Sequence, residues 1–474
     1  MLLELIADSA ATATKPWFPM LVLGTIMTLT YLVIAFDWMH KSLAAMIGAI
    51  LCVIAALMLG VYVSHDGETP YKHVHEIIGH DLGVIGVIIG TSVLVEIASR
   101  SGLFHFFAVK IVKLTGGDSG WLLVAMAAAT MLFVTFLTIA PGTMIMVSLC
   151  LVVTRELKLN PVPYIMTIAI CANSGALMTF SSGICTLMLG TAGKLQYMHF
   201  FLVSTPMGLI SGVIAYSYIR FYYRREIKTE SDADKLKLKA QIATFDEWAL
   251  VKDRSFFFKC AGILAATIVG FASAQNLGVG LDLVAITGGT AALLISGIYP
   301  DDAIKKVNWS LILFFVGLFV IIGSVQDTGL LAWQARKMLD AAGGDATVTM
   351  LLMSTFVLVL SGVMDNIPVA ATLIPLVRSM GEMGQDVVPL WWALVITANL
   401  GGNSTPIGSV SSVIALNGLE KERGIKISWG EFLKVGGIVL LLQGVVALLY
   451  LYMFAKLGWF PGAATAAVNS LGEV

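Results

Sequence analysis

Charge is what this chain has least of. Of 474 residues, 12% are charged and 58% are hydrophobic, whereas a soluble domain carries about 25% charged residues; an ordinary water-facing surface is excluded. The formal net charge is −1, so there is no basic field to attract nucleic acid, and no such partner is expected. Cysteine is sparse. Cys52, Cys150, Cys171, Cys185 and Cys260 fall in or beside apolar stretches without paired spacing, which argues against a disulfide framework or a zinc set and for packing roles. No His-Glu-x-x-His pattern, paired aspartate or serine with a base marks a membrane-embedded enzyme. Residues 1–7 are apolar apart from Glu4 and carry no basic leader, so a cleaved signal peptide is not expected.

Long apolar runs are abundant. Segments of roughly 20 apolar residues, enough to cross a hydrocarbon core about 30 Å thick, recur at 17–36, 42–63, 81–98, 198–219, 256–273, 282–299, 309–325 and 435–455. Two of them share their punctuation: IGVIIGTSVLVEIASRSGL at 85–103 and ILFFVGLFVIIGSVQDTGL at 312–330. Gly90, Ser101, Gly102 and Leu103 correspond to Gly317, Thr328, Gly329 and Leu330, an offset of 227 residues. Duplication around helices broken near the bilayer centre is the usual build of a secondary transporter. The expected fold is therefore an all-α polytopic membrane protein of two inverted repeats. Each repeat has about five membrane-spanning helices, a re-entrant hairpin and a mid-membrane broken helix. The divisions fall at 1–222, a basic linker at 223–255, and 256–474.

Ten of the 29 Lys and Arg residues lie between 220 and 259, including Arg220, Arg224, Arg225, Lys228, Lys235, Lys237 and Lys239. Positive charge favours the cytoplasmic side, which puts this linker inside. An odd number of crossings per half then inverts the halves and turns both termini outward. Arg100, Lys110, Lys113, Lys305, Lys306, Lys421, Arg423 and Lys426 fall inside, and a loop at 65–80 with His65, His73, His75 and His80 falls outside, its histidines solvated. A bacterial inner membrane is the expected location.

The chemistry concentrates where apolar runs are interrupted. MDNIPVAATLIP at 364–375 sets Asp365 and Asn366 within apolar sequence, with Pro368 close behind and Thr372 and Pro375 following. An ionised carboxylate at the bilayer centre costs about 2.5 to 3.5 kcal/mol on insertion scales, so it must meet water, a cation or a proton. We read 348–378 as a helix, a tip at Asp365 to Pro368, and a returning helix. The matching TIAPGTMIMVSL at 138–149 keeps the proline, as Pro141, but has Thr138 and Ile139 in place of the acid and amide, with Thr143 following.

A second pair of interruptions is ANLGGNSTPIGS at 398–409 and ANSGALMTFSSG at 172–183. Double glycine and proline within a few residues are poor helix material, and an unwound helix exposes carbonyls for a cation and amides for an anion. Asn399, Gly401, Gly402, Asn403, Ser404 and Thr405, with Asn173, Ser174, Gly175, Thr179, Ser181 and Ser182, are the candidate binding residues here. Close packing through small residues is the competing explanation, strongest in the first half. Other charges are assigned structural roles: Glu96 paired with Arg100 or relaying protons, Asp37, His40 and Lys41 in a short inner loop, and Asp282 at a helix start.

At VNWSLILFFVGLFVIIGSVQDTGLL (307–331), MDNIP (364–368) and LWWALVITANLGGNSTPIGS (390–409) the chain resembles the ion transporter superfamily. Its branch is similar to citrate-transporter-like proteins, arsenite permeases, the P protein and D-type sodium/proton antiporters. The resemblance implies inverted repeats, a site at hairpin tips and helix breaks, elevator movement and a homodimer. It puts Asp365 and Asn366 at the second tip and Gly401 to Thr405 at the second break. The first half departs from the family's polar pattern at Thr138, Ile139 and 173–183, which leaves the substrate open.

The expected function is an ion-coupled secondary transporter, foremost a proton- or sodium-coupled cation antiporter, whose coupling sodium ion or proton is the only cofactor expected. The alternative is a carrier of an organic acid or oxyanion such as citrate, arsenite or silicate, which the scarcity of cations near the site, Arg378 apart, counts against.

Overall fold

The computed structural model describes residues 17–35, 38–62, 70–80, 82–116, 118–227, 246–249, 251–274 and 277–461. His65, Asp37, Lys228, Lys235, Lys237 and Lys239 lie outside the described residues, as do the side chains of His73 and His80.

The first half comprises α1 (Trp17–Ala35), α2 (Lys41–Met58), α3 (Pro70–His80), α4 (Leu82–Arg100), α5 (Leu103–Leu114), α6 (Ser119–Leu137), α7 (Ile139–Glu156), α8 (Val162–Ala176), α9 (Ile184–Ala192) and α10 (Tyr197–Tyr222). The second comprises α11 (Arg254–Ser273), α12 (Leu281–Ser296), α13 (Pro300–Ile304), α14 (Trp309–Gln326), α15 (Leu330–Ala341), α16 (Ala346–Val363), α17 (Asn366–Glu382), α18 (Val388–Gly401) and α19 (Val410–Arg423). It closes with α20 (Trp429–Phe432), which passes through a π turn at Leu433–Gly437 into α21 (Ile438–Leu457). Among the described residues ten helices are long and apolar enough to cross a membrane. In hydrocarbon every backbone N–H and C=O must be satisfied within the segment, which is why apolar runs of this length settle as helices.

In order along the chain α1–α9 match α11–α19, and α10 matches α20 and α21 together; the packing is reciprocal. Helix α2 crosses α14 and α12 crosses α4. The two repeated glycines explain how: a Cβ on Gly90 would stand 2.3 Å from the backbone of Ala285 in α12, and one on Gly317 would stand 2.6 Å from the backbone of Ala45 in α2. Both helix pairs thus touch backbone to backbone, as small residues permit in membranes. The turns after α4 and α14 match as well, with Gly102 at φ 80° and Gly329 at φ 79°.

Helices α1–α4 and α11–α14 form one body, the scaffold. Helices α6–α10 and α16–α21 form a second, in which α7 packs on α19 and α17 on α9. Within it the buried rings of Phe200 and Trp392 meet edge-on, their centroids 4.9 Å apart. On the linker side, Lys113 of α5 pairs with Glu247, and that hydrogen bond holds the Glu247 carboxyl below its usual range.

The expected outer loop at 65–80 is corrected in part: 70–80 is helix α3. Pro70 opens it, and Val74, Ile77 and Ile78, spaced for one helical face, rest against the core.

Candidate functional site: two hairpin tips and two helix breaks

Each hairpin turns on a residue placed three before a proline. Asp365 caps α17, and Pro368 is the third residue of that helix; Thr138 precedes α7, and Pro141 is the third residue there. A proline in the first helical turn removes no intrahelical hydrogen bond, because the first four N–H groups have no partner in the helix. The expected helix, tip and return over 348–378 is observed at 346–363 and 366–382.

The tips differ in chemistry. Thr138 sits at φ 71° and ψ 166°, a region that glycine alone occupies easily. Asp365 is 8% exposed, and its Oδ2 accepts from Lys41 Nζ at 2.8 Å, with that side chain 39% exposed. Lys41, expected to serve only an inner loop, is the first residue of α2 and bridges the scaffold to the second tip. The expectation that Arg378 is the sole cation near the site is thereby overturned. Arg378 lies on the returning arm of α17 and lines a different cavity with Glu76, Gln326 and Asp327.

The breaks run from Leu177 to Gly183 and from Gly402 to Ser409, between the paired helices. Much of their polarity closes helix ends, whose last carbonyls have no partner in the helix. Thr179 Oγ1 donates to Thr135 O at 2.9 Å, and Thr405 Oγ1 donates to Gly362 O at 2.8 Å; the acceptors are 227 residues apart, so the bond recurs in both halves. Ser404 Oγ also donates to Gly362 O, at 3.0 Å, and Ser182 Oγ and Thr186 Oγ1 donate to Ala176 O. Gly175 and Gly401 let α8 and α18 press on the hairpins: a Cβ there would lie 2.7 Å from Met131 O and 2.5 Å from Ser361 Cβ. Gly402 follows at the end of α18 against Gly408 O.

The buried amides tie the halves together. Asn173 Nδ2 donates to Asn403 Oδ1 at 2.8 Å, Asn403 Nδ2 donates to Gln443 Oε1 at 2.8 Å, and Gln443 Nε2 donates to Ser211 Oγ at 2.8 Å. Ser211 Oγ lies 2.7 Å from Ser174 Oγ, and Ser409 Oγ donates to Asn173 Oδ1 at 2.7 Å. A second link runs from Asn366 Nδ2 to Asn399 Oδ1 at 3.3 Å and from Asn399 Nδ2 to Thr186 Oγ1 at 3.0 Å. Gln443, Ser211 and Thr186 were not singled out from sequence, although Gln443 had a signal as the lone amide of an apolar run. Thr372 donates back to Pro368 O, and the Thr143 hydroxyl is buried without a hydrogen-bond partner.

Two cavities border the tips. One of about 270 Å³ is lined by Ile34, Lys41, Asp365, Pro368, Ile407 and Val410. The other, about 290 Å³, is lined by Thr138, Pro141, Ser181, Glu96, Lys306 and Asn308 among others. Glu96 there pairs with Arg100 at 2.7 Å. Both cavities adjoin one end of the scaffold, since Ser310 Oγ lies 3.2 Å from Ser42 Oγ and 3.4 Å from His40 Nε2.

Apolar spanning helices, a second body built from hairpins and interrupted helices, and a carboxylate at a hairpin tip define a multi-pass membrane transporter. The family model described as citrate transporter (CitMHS) matches residues 31–397 and 278–467. The chain belongs to that family; it is a transporter and not an enzyme. It is similar to an uncharacterized transporter of Mycobacterium tuberculosis, 28% identical over 433 residues and covering 90% of this chain and 97% of that protein. It is also similar to the P protein of Mus musculus, 23% identical over 506 residues and covering 90% of this chain and 60% of that protein. Among solved structures, the YdaH transporter of Alcanivorax borkumensis shares the fold at a TM-score of 0.61 and 14% identity, covering 89% of this chain and 99% of that one.

Proposed function

We propose that this protein is an ion-coupled secondary transporter in which the hairpin body moves against the scaffold, elevator fashion, and that Asp365 is the coupling carboxylate of a proton- or sodium-coupled cation antiporter. One observation carries the reading: the asymmetry of the two tips. If the halves are inverted repeats, the counterpart of the α1–α2 turn is the α11–α12 turn at the opposite end, and that of the α13–α14 turn is the α3–α4 turn. Both tip cavities nonetheless adjoin the same end, at Lys41 and at Lys306 and Asn308. The charge distribution puts that end in the cytoplasm. A body displaced toward one side of a symmetric scaffold is what an inward-facing elevator state requires, and exchanging the tips' contacts would give the outward state.

A carboxylate that holds either a proton or a metal cation supplies exchange by competition. The family description and Lys41 beside the tip favour one second reading, a carrier of an organic acid such as citrate. Against it, Asp365 already neutralises Lys41 and would repel an incoming carboxylate. As the resemblance implies, the unit in a bacterial inner membrane is taken to be a homodimer.

The test is charge movement and internal pH in proteoliposomes offered sodium, lithium, potassium, citrate, arsenite and silicate in turn. A pH change evoked by one cation and abolished in Asp365→Asn is the expected result. A response to citrate or an oxyanion alone selects the second reading, and full activity of Asp365→Asn removes the coupling role.

A further inference from the structure

We propose that Lys41 is a tethered counter-cation: a latch on the scaffold that holds the hairpin body in its inward position until an ion neutralises Asp365. This rests on the two-body reading above and names a control of the same site. The geometry sets out the parts. Lys41 opens α2 in the scaffold, Asp365 caps α17 in the moving body, and Nζ to Oδ2 is 2.8 Å across 324 residues of chain. The remaining lining of the cavity, from α1, the second hairpin, the second break and α19, is Ile34, Met364, Pro368, Ile407, Val410, Val413 and Ile414, all apolar.

The nearby titratable groups do not substitute for the lysine. His40 turns its ring to Ser42 at 2.8 Å and Ser310 at 3.4 Å, and Cys185 of α9 is a buried thiol. A buried carboxylate needs a positive partner, and among the described residues the other walls of the cavity are apolar, which leaves the lysine as the scaffold's contribution. The flexible four-carbon stem and point charge of lysine suit a contact that must break each cycle.

Two consequences follow from placing the pair across the moving interface. With Asp365 bare, moving the body outward strips the carboxylate of its counter-ion, so an empty unit stays inward. With a proton or metal cation on Asp365, the Lys41–Asp365 attraction is lost and the body is released. Lys41 thus suppresses the uncoupled return of an empty carrier, by a differential contact in one of two states.

The experiment reads conformation and not transport. Cysteines at Ile34→Cys in the scaffold and Ile407→Cys in the moving body line one cavity, which none of the five native cysteines lines. A bifunctional thiol reagent applied to purified protein without added substrate therefore reports the inward position. Lys41→Gln is expected to lower the cross-linked ratio about fivefold, the shift that one half-exposed pair gives a two-state equilibrium. Asp365→Asn should lower it equally, the double variant no further, and Lys41→Arg should keep it. Unchanged cross-linking in Lys41→Gln, or an equal fall in Lys41→Arg, overturns the latch. Should Lys41→Gln not fold, the comparison of Asp365→Asn with the wild type carries the test. The coupling role of Asp365 is judged separately by transport, so either idea can fail alone.

Discussion

Thr138 is where the two halves part at the residue scale. It occupies the place of Asp365 but holds φ 71° and ψ 166° on a β-branched side chain, a conformation that costs of order 1–3 kcal/mol. Glycine adopts it freely and gives back part of that gain, roughly 0.5–1 kcal/mol, in unfolded-chain entropy. Thr138→Gly should therefore stabilise the protein by about 1 kcal/mol, read as a higher unfolding midpoint in detergent; a lower midpoint would show that the threonine side chain is worth more than the strain. Thr138 lines the same cavity as Ser181, Glu96 and Lys306, which gives the strained turn a function to serve.

Across elements, the helix breaks are held by hydrogen bonds between the halves. Gln443 of α21 joins Asn403 in the second break to Ser211 of α10 with three bonds between helices. Bonds of this kind in membranes average about 0.6 kcal/mol, so Gln443→Leu should destabilise by about 2 kcal/mol. Asn403→Ala should cost a similar amount, and the double variant less than the sum, because the two share one network. Additive losses measured by thermal unfolding would mean that the chain of amides does not act as a unit. The same bonds account for much of the polarity that sequence reasoning assigned to binding. Thr179, Ser182, Ser404 and Thr405 answer orphan carbonyls of α6, α8, α16 and α18, which sorts them from Thr138, Ser181 and Asp365 at the cavities.

For the whole molecule, the property behind the proposed elevator movement is a scaffold of matched helix crossings with both tip cavities at one end. The reciprocal glycine contacts at Gly90 and Gly317 give the scaffold equivalent crossings in its two halves, while both tip cavities adjoin one end. If that end is cytoplasmic, Ile407→Cys, in the cavity beside Asp365, should react with a membrane-impermeant thiol reagent several times faster in inside-out than in right-side-out vesicles. Equal rates, or the reverse preference, would contradict the inward assignment.

The sequence by itself determined the membrane class and the places where long helices stop, at the tips and the breaks. Each is a local signal: an apolar run long enough for the bilayer, or a proline, glycine or carboxylate that a spanning helix cannot carry without cost. Helix α3 escaped notice because its apolar face is only Val74, Ile77 and Ile78 among polar neighbours. Tertiary structure alone decided that Lys41 meets Asp365, that Asn173 meets Asn403, and which hydroxyls close helix ends and which border a cavity. Those pairings join residues more than two hundred positions apart, and a side chain's role there depends on which partner its charge or hydrogen bond finds when the helices pack.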